Sequence, residues 1–432
     1  MNFPRAVAEK GSQFGCFMSR YRCLGNCGVI SLLWIGVAGS LAMAEPPPGG
    51  AALALHVDGA QLKDAAGKTI LLRGVNQHGL VDVPDGGWDA PGKALVSGMG
   101  HWDPGVIQAT LDEYQRLGFN VVRFHTVIEW WKENPETYKD RWRSVTYPEH
   151  YRQMLKDTIR WAGERGLYVI FDFFAMKNID GKQSGQESLP WPPYNRYPEV
   201  VGSRAEFAAL WKSVAQELGP FPNVLFELYN EPHGDEKAEA EWFGFCEQAL
   251  PAIRSSASNL VIIQWDYQCW VNLDYPPPKN RAATLDWIER YPLKGENLVY
   301  GTHLYRNSGG GGPGTVHRTR HGLVNLWERA DIRQALELSL FPHTVHDLNK
   351  PLLVTEIGAY VKYRGPDRDV ELDHELLWFQ NTLATLEQWG IGYVDWAWRS
   401  DEHLDHGALH QGHPNAAGKI FLDSLKRARE EP

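Results

Sequence analysis

Two short strings far apart in the chain, Leu228-Tyr229-Asn230-Glu231-Pro232 and Leu353-Val354-Thr355-Glu356-Ile357-Gly358, each set a glutamate directly after an apolar run that reads as a buried strand. A charged acid there is costly unless it lines a polar cleft, so two such endings point to one shared site. Paired carboxylates without a recognisable metal or cofactor motif suit the cleavage of a glycosidic bond. One acid protonates the departing oxygen, and the second group stabilises or traps the oxocarbenium-like centre. Arg123 is the candidate partner that keeps one glutamate ionised, while partial burial and its neighbour's charge keep the other protonated. Either glutamate alone reads equally well as a strand end paired to an arginine; two on comparable strands favour chemistry.

Elements that alternate along the chain must bring these residues together. A hairpin is predicted over Ala54 to Lys63, turning at Asp58-Gly59. Eight strand-like runs follow: Thr69 to Gly74, Phe119 to Phe124, Leu167 to Phe173, Asn223 to Leu228, Asn259 to Trp265, Asn297 to His303, Pro351 to Glu356 and Gly392 to Trp396. Between them lie amphipathic segments long enough for helices, such as Pro104 to Leu117, Glu149 to Arg165, Ser203 to Leu218 and Leu372 to Trp389. The fifth and sixth helices are the uncertain pair, because Pro276 to Pro278 and Gly309 to Gly312 mark long loops. Strands buried on both faces and joined through helices pair in parallel, and eight of them close into a (β/α)8 TIM barrel. Reactive side chains in that fold sit where strands end. The predicted strand ends supply Asn76 and His78, Arg123 and His125, Asp172, Asn230 and Glu231, Asp266, His303 and Tyr305, Glu356, and Trp396 and Trp398.

With Arg73-Gly74-Val75-Asn76 early and His303-Leu304-Tyr305 late, the ordered set resembles glycoside hydrolase family 5, the cellulase-type enzymes, from about Leu53 to the C-terminus. The resemblance implies a retaining β-glycosidase that works by double displacement and needs no cofactor or metal. It implies Glu231 as acid/base and Glu356 as nucleophile. Asn230 would hold the sugar 2-hydroxyl, Arg123 and Tyr305 would support Glu356, and His303 would lie near Glu231. Trp396 would floor the sugar, and His78 would reach its glycone side. One departure stands out: strand three ends Asp172-Phe173-Phe174 where this family commonly carries a histidine, and His125 is the candidate substitute. A β-glucan-type polysaccharide is the expected substrate. β-Mannan, β-1,3-glucan, a glycolipid or a small glycoside remain alternatives, as does a non-catalytic carbohydrate-binding barrel.

Trp88, Trp102, Trp130, Trp131, Trp191, Tyr194, Trp265 and Trp270 fall in or near loops at the reactive end and are expected, as a set, to form stacking platforms for saccharide; any single one is as easily core filler. The cluster from Glu402 to His413 lacks a metal-ligand spacing and reads as solvated loop.

The first 44 of 432 residues carry Arg5, Lys10, Arg20 and Arg22, an apolar stretch from Val29 to Ala38, and Ala42-Met43-Ala44. That order predicts a secretory signal peptide over residues 1–44, an uncleaved anchor being the alternative, and hence a secreted or periplasmic protein. A short Pro/Gly-rich tether over 45–52 and one catalytic domain over 53–432 complete the organisation. Losing four basic residues and one acid takes the formal charge from −10 to about −13, which argues against nucleic acid and anionic membranes as partners. An oligo- or polysaccharide is the expected partner, with no stable membrane partner after cleavage. Of five cysteines only Cys246 and Cys269 lie beyond the leader, too few for a disulfide framework, so buried free thiols are expected and one bridge remains possible.

Overall fold

A computed structural model describes residues 53–77, 104–134, 137–139, 144–146, 150–174, 178–179, 182–183, 188–194, 201–265, 285–306, 316–319, 322–325, 327–361, 368–398, 404–405 and 413–430. Eight parallel strands close on themselves: β1 (Arg73–Gln77), β2 (Val121–Val127), β3 (Tyr168–Phe174), β4 (Val224–Glu227), β5 (Val261–Gln264), β6 (Leu298–Tyr305), β7 (Leu352–Gly358) and β8 (Gly392–Asp395). Closure comes from β8 pairing with β1, with Tyr393 opposite Arg73. Helices follow the strands: α1 (Pro104–Leu117), α2 (Tyr151–Glu164), α3 (Arg204–Leu218), α4 (Glu236–Arg254), α5 (Trp287–Arg290), α6 (Arg329–Leu338), α7 (Arg368–Gln388) and α8 (Ala416–Glu430). The predicted barrel is therefore the observed one, and α5 is only four residues long; Pro276 to Pro278 lie outside the described residues.

Alternation along each strand sorts the side chains. Val75, Val122, Phe171, Phe226, Ile263 and Val354 face the helices in one large core, while Val121, Ile170, Leu225, Ile262, Val299, Leu353 and Val394 form a second cluster within the barrel. Leu55 and Leu62 of the N-terminal hairpin (His56–Asp58 paired with Gln61–Lys63) join that inner cluster and plug the barrel floor. The close strand approach is why residue 74 is glycine: a Cβ there would sit 1.7 Å from the Val121 carbonyl oxygen.

A recurring asparagine just before a strand ties down the floor. Asn120 accepts from the Arg73 amide at 2.7 Å and donates to the Leu71 carbonyl at 2.8 Å. Asn223 donates to Ile159 and Leu167, and Asn259 to Phe221 and Val224. Asn297 accepts from the Val57 amide, and Asn349 from that of Ala60, so both pin the hairpin. Each satisfies backbone groups that the loop at that end would leave unpaired. This pinning also corrects the first strand, expected from Thr69: Ile70 donates to the Leu62 carbonyl and Leu71 is held by Asn120, so the barrel strand begins at Arg73. Among the described residues no helix is long and apolar enough to cross a membrane.

Candidate active site

Above the apolar floor, the inward positions turn polar at the C-terminal ends of the strands. Strand register sets Asn76 opposite Arg123, His125 opposite Asp172, and Asp172 opposite Glu227. Arg123 is fully buried and organises the site. Its Nε donates to Glu227 Oε2 at 2.5 Å, Nη1 to Glu356 Oε1 at 2.7 Å and to Asn76 Oδ1 at 3.0 Å, and Nη2 to Asn230 Oδ1 at 2.8 Å. Asp172 Oδ2 lies 3.1 Å from Nη2. Burial alone works against the cation, but the charges of Asp172, Glu227 and Glu356 overcome it and hold the guanidinium charged. Only arginine offers so many donors in one planar fork.

Glu356 owes its place to a bulge. On β7, Val354 pairs with Thr302 and the next pairing is Glu356 with His303, so Thr355 is the extra residue. Pairing with β8 skips in the same interval, from Val354 to Ile357. Consecutive residues Thr355 and Glu356 are therefore both aimed into the polar cluster, against the alternation of a regular strand. Tyr305 OH donates to Glu356 Oε2 at 2.6 Å, opposite the oxygen held by Arg123. Burial pushes the Glu356 carboxyl above the usual range, opposed by His303 and Arg123, reinforced by Glu231, and opposed again by the Tyr305 hydrogen bond. Arg123 thus acts in the direction expected of it, favouring the ionised form, while burial opposes it.

Glu231 follows β4 in a left-handed backbone conformation, φ 45°, which a non-glycine residue adopts at a cost. Its side chain stays 21% exposed, whereas that of Glu356 is 5% exposed, so Glu231 faces the opening. Burial pushes its carboxyl up to about 7, against Arg123 and His233 and with Glu227. His303 Nδ1 lies 2.8 Å from Glu231 Oε1 and 3.3 Å from Glu356 Oε2. Burial holds this imidazole down to about 4, so it is neutral at pH 7.

Each of Glu231, His303 and Glu356 brings one donor atom within 4.8 Å of the others, the single such grouping of metal-ligand type among the described residues. The 2.8 Å contact is that of a hydrogen bond, whereas tetrahedral ligands about 2.1 Å from an ion stand about 3.4 Å apart. One oxygen of Glu231 and one of Glu356 thus lie within 4.8 Å, closer than carboxyls about 6.5–9.5 Å apart that leave room for a water between them.

Arg123, Asn230, Glu231, His303, Tyr305 and Glu356 are thus brought together as the sequence suggested. Trp396 is half-buried beside them, its ring 5.2 Å from that of His125, and the Trp396–Ala397 peptide is cis. His125 Nδ1 stands 2.9 Å from Asp172 Oδ2 and its Nε2 stands 3.7 Å from Glu356 Oε1. His78 lies outside the described residues, as do Trp88, Trp102, Asp266, Cys269, Trp270 and Gly309 to Gly312, together with the side chains of Trp130 and of residues 401–413. Cys246 is a buried free thiol.

Three of the expected platform aromatics are corrected: Trp131 packs edge-on against Phe171 and Phe173, Trp191 stacks on Phe245, and Trp265 sits near Phe243. All three are buried, so they serve the core rather than a saccharide platform. Of the strand-end residues, Trp398 is likewise buried, its ring against Tyr114 and Phe119. Sequence reasoning missed Glu227. Its signal was an acid inside Val224-Leu225-Phe226-Glu227-Leu228, one step before the expected strand end.

In sequence the chain is similar to known endoglucanases. Endoglucanase E-5 of Thermobifida fusca is 25% identical over 374 residues, which is 87% of this chain and 61% of the relative. Endoglucanase A of Butyrivibrio fibrisolvens is 24% identical over 307 residues, 70% of this chain and 52% of the relative. The chain therefore spans little more than half the length of these curated relatives. In fold it is similar to an endocellulase from Pyrococcus horikoshii solved with cellotetraose, with TM-score 0.59 and 18% identity over 88% of this chain and 99% of that one. The family model "Cellulase (glycosyl hydrolase family 5)" matches residues 64–402, and the chain belongs to that family.

Proposed function

We propose that this protein is a retaining O-glycosyl hydrolase that cleaves β-glycosidic bonds in a β-glucan-type saccharide, with Glu231 as acid/base and Glu356 as nucleophile. The observation that carries the reading is the close pair of carboxyls with opposite environments. Glu356, gripped at one oxygen by the Arg123 cation and at the other by the Tyr305 hydroxyl, is aimed and supported as an anion. Glu231, more open and pushed up to about 7, keeps its proton for the leaving oxygen.

Glu356 attacks the anomeric carbon while Glu231 protonates the departing oxygen, forming a covalent glycosyl-enzyme. Glu231, now ionised, takes a proton from water, which displaces Glu356 and returns the sugar with its original anomeric configuration. Arg123 fixes the Asn230 amide through Oδ1, which suits Asn230 to a sugar hydroxyl bond that strengthens as charge develops. The half-buried Trp396 offers an indole to the apolar face of the pyranose, and His78 is assigned to the glycone side. Residues 1–44 are proposed as the export signal, placing the enzyme outside the cytoplasm where polysaccharide is met.

A slow fluorosugar of the β-gluco series tests this directly. Mass spectrometry of the proteolysed adduct should place the label on Glu356, and Glu231→Gln and Glu356→Gln should each abolish release of reducing ends from β-glucan. Tight saccharide binding with no turnover in the wild type would mark a binding module instead.

A further inference from the structure

The hydroxyl of Thr355, the residue inserted by the β7 bulge, has a single proton, and it is spent. Thr355 Oγ1 donates to Glu227 Oε1 at 2.9 Å, and Glu227 is anchored at its other oxygen by Arg123. His303 Nε2 lies 3.1 Å from the same Thr355 oxygen. A hydroxyl that has donated its proton can only accept, so Nε2 is the nitrogen that carries the hydrogen. A neutral imidazole has one N–H, which leaves Nδ1 as a bare acceptor. Nδ1 lies 2.8 Å from Glu231 Oε1 and, at a longer 3.3 Å, from Glu356 Oε2, an oxygen that already accepts from the Tyr305 hydroxyl. An ionised carboxylate against that lone pair would be two acceptors facing each other, whereas a protonated Glu231 donates to it.

We propose that Glu227 and Thr355 are positioning residues that fix His303 in the tautomer whose Nδ1 accepts from Glu231, and so hold the catalytic acid in its protonated form. The proposal rests on the reading of Glu231 as the acid. The opposite tautomer, with Nδ1–H donating to an ionised Glu231, requires Thr355 to turn its proton toward His303. That strips Glu227 Oε1, in a fully buried carboxylate, of the donor it has here. Among the described residues, the groups facing Glu231 include Arg123 from β2, Asp172 from β3, Glu227 from β4, His303 and Tyr305 from β6, Glu356 from β7, and His233 from its own loop. Of these, His303 alone has a hydrogen-bonding direction that Thr355 can reverse. The burial that makes His303 a weak base keeps the shared proton on Glu231.

Histidine-15N-labelled protein tests this at pH 6, with the His303 resonance assigned by its loss in His303→Asn. The wild type should show a protonated Nε2 and a bare Nδ1. Thr355→Val removes the acceptor and should shift His303 toward Nδ1–H, and the alkaline inflection of kcat/KM should move down by about one pH unit as the ionised acid gains a donor. Thr355→Ser, which restores the hydroxyl, should return both readouts to wild type. A wild-type His303 protonated at Nδ1 overturns the proposal even if Thr355→Val fails to fold, and so does a Thr355→Val protein with tautomer and inflection unmoved. Absence of β-glucan hydrolysis in the wild type defeats the functional reading but leaves the tautomer measurement intact.

Discussion

Glu231→Gln should make the folded protein respond less to alkaline pH while removing activity. In the fold, burial raises the Glu231 carboxyl from an ordinary value of 4.5 to about 7. A group with a raised folded pKa binds more protons in the native than in the unfolded chain between those values, so its stabilising contribution is present at low pH and lost as pH rises through 7. A shift of that size corresponds to about 3 kcal/mol at about 1.4 kcal/mol per unit, and coupling to Glu356 and His303 lowers the expectation to about 2 to 3 kcal/mol. Glutamine keeps the shape, and its amide can donate to His303 Nδ1 as the protonated acid does. Urea denaturation of both proteins at pH 5 and pH 8.5 isolates the contribution, because the other titrating groups largely cancel in the comparison. The wild type should lose about 2 to 3 kcal/mol more than the variant between those two pH values. Parallel losses, or a steeper loss in the variant, would refute the claim that Glu231 is held protonated by burial.

In the wild type, kcat/KM should fall above an inflection near pH 7 as Glu231 ionises, and its acidic inflection should lie above the usual carboxylate range because burial raises Glu356. Tyr305→Phe removes a hydrogen bond that pulls Glu356 down, so the acidic inflection should move to higher pH and kcat should drop roughly 10- to 100-fold, as for loss of a hydrogen bond to a charged group. Arg123→Met leaves Asp172, Glu227 and Glu356 buried without their cation and should cost about 3 to 5 kcal/mol by denaturant titration. That loss should be smaller at pH 5, where protonation can neutralise the carboxyls. An equal loss at both pH values would remove the electrostatic explanation.

Much of the scaffold was legible because its signals are local. Apolar runs of strand length, helical segments between them and glycines at helix ends need no tertiary information, and all eight predicted strands overlap those observed. Strand ends were less legible. β2 runs to Val127 and β6 to Tyr305, past the expected ends, because polar residues such as Arg123, His125 and His303 continue the alternation into the barrel mouth. The tryptophans were misread for a related reason: large rings adjoining loops pack under them as readily as they line a cleft, and sequence does not say on which side a ring lies. Trp131 and Trp191 took the core.

The sequence by itself determined the barrel and the placing of two glutamates at strand ends, because hydrophobic periodicity dictates buried parallel strands and an acid at such a strand's end has few tolerable places to go. Only the tertiary structure decided what those acids become. The bulge at Thr355 adds one residue to β7 and so turns Thr355 and Glu356 inward together, beside His303. Register puts Arg123 within reach of three carboxylates from three other strands. The direction of each hydrogen bond, and with it the proton on Glu231, follows from which partner each buried atom finds across the barrel, and no run of neighbouring residues encodes that.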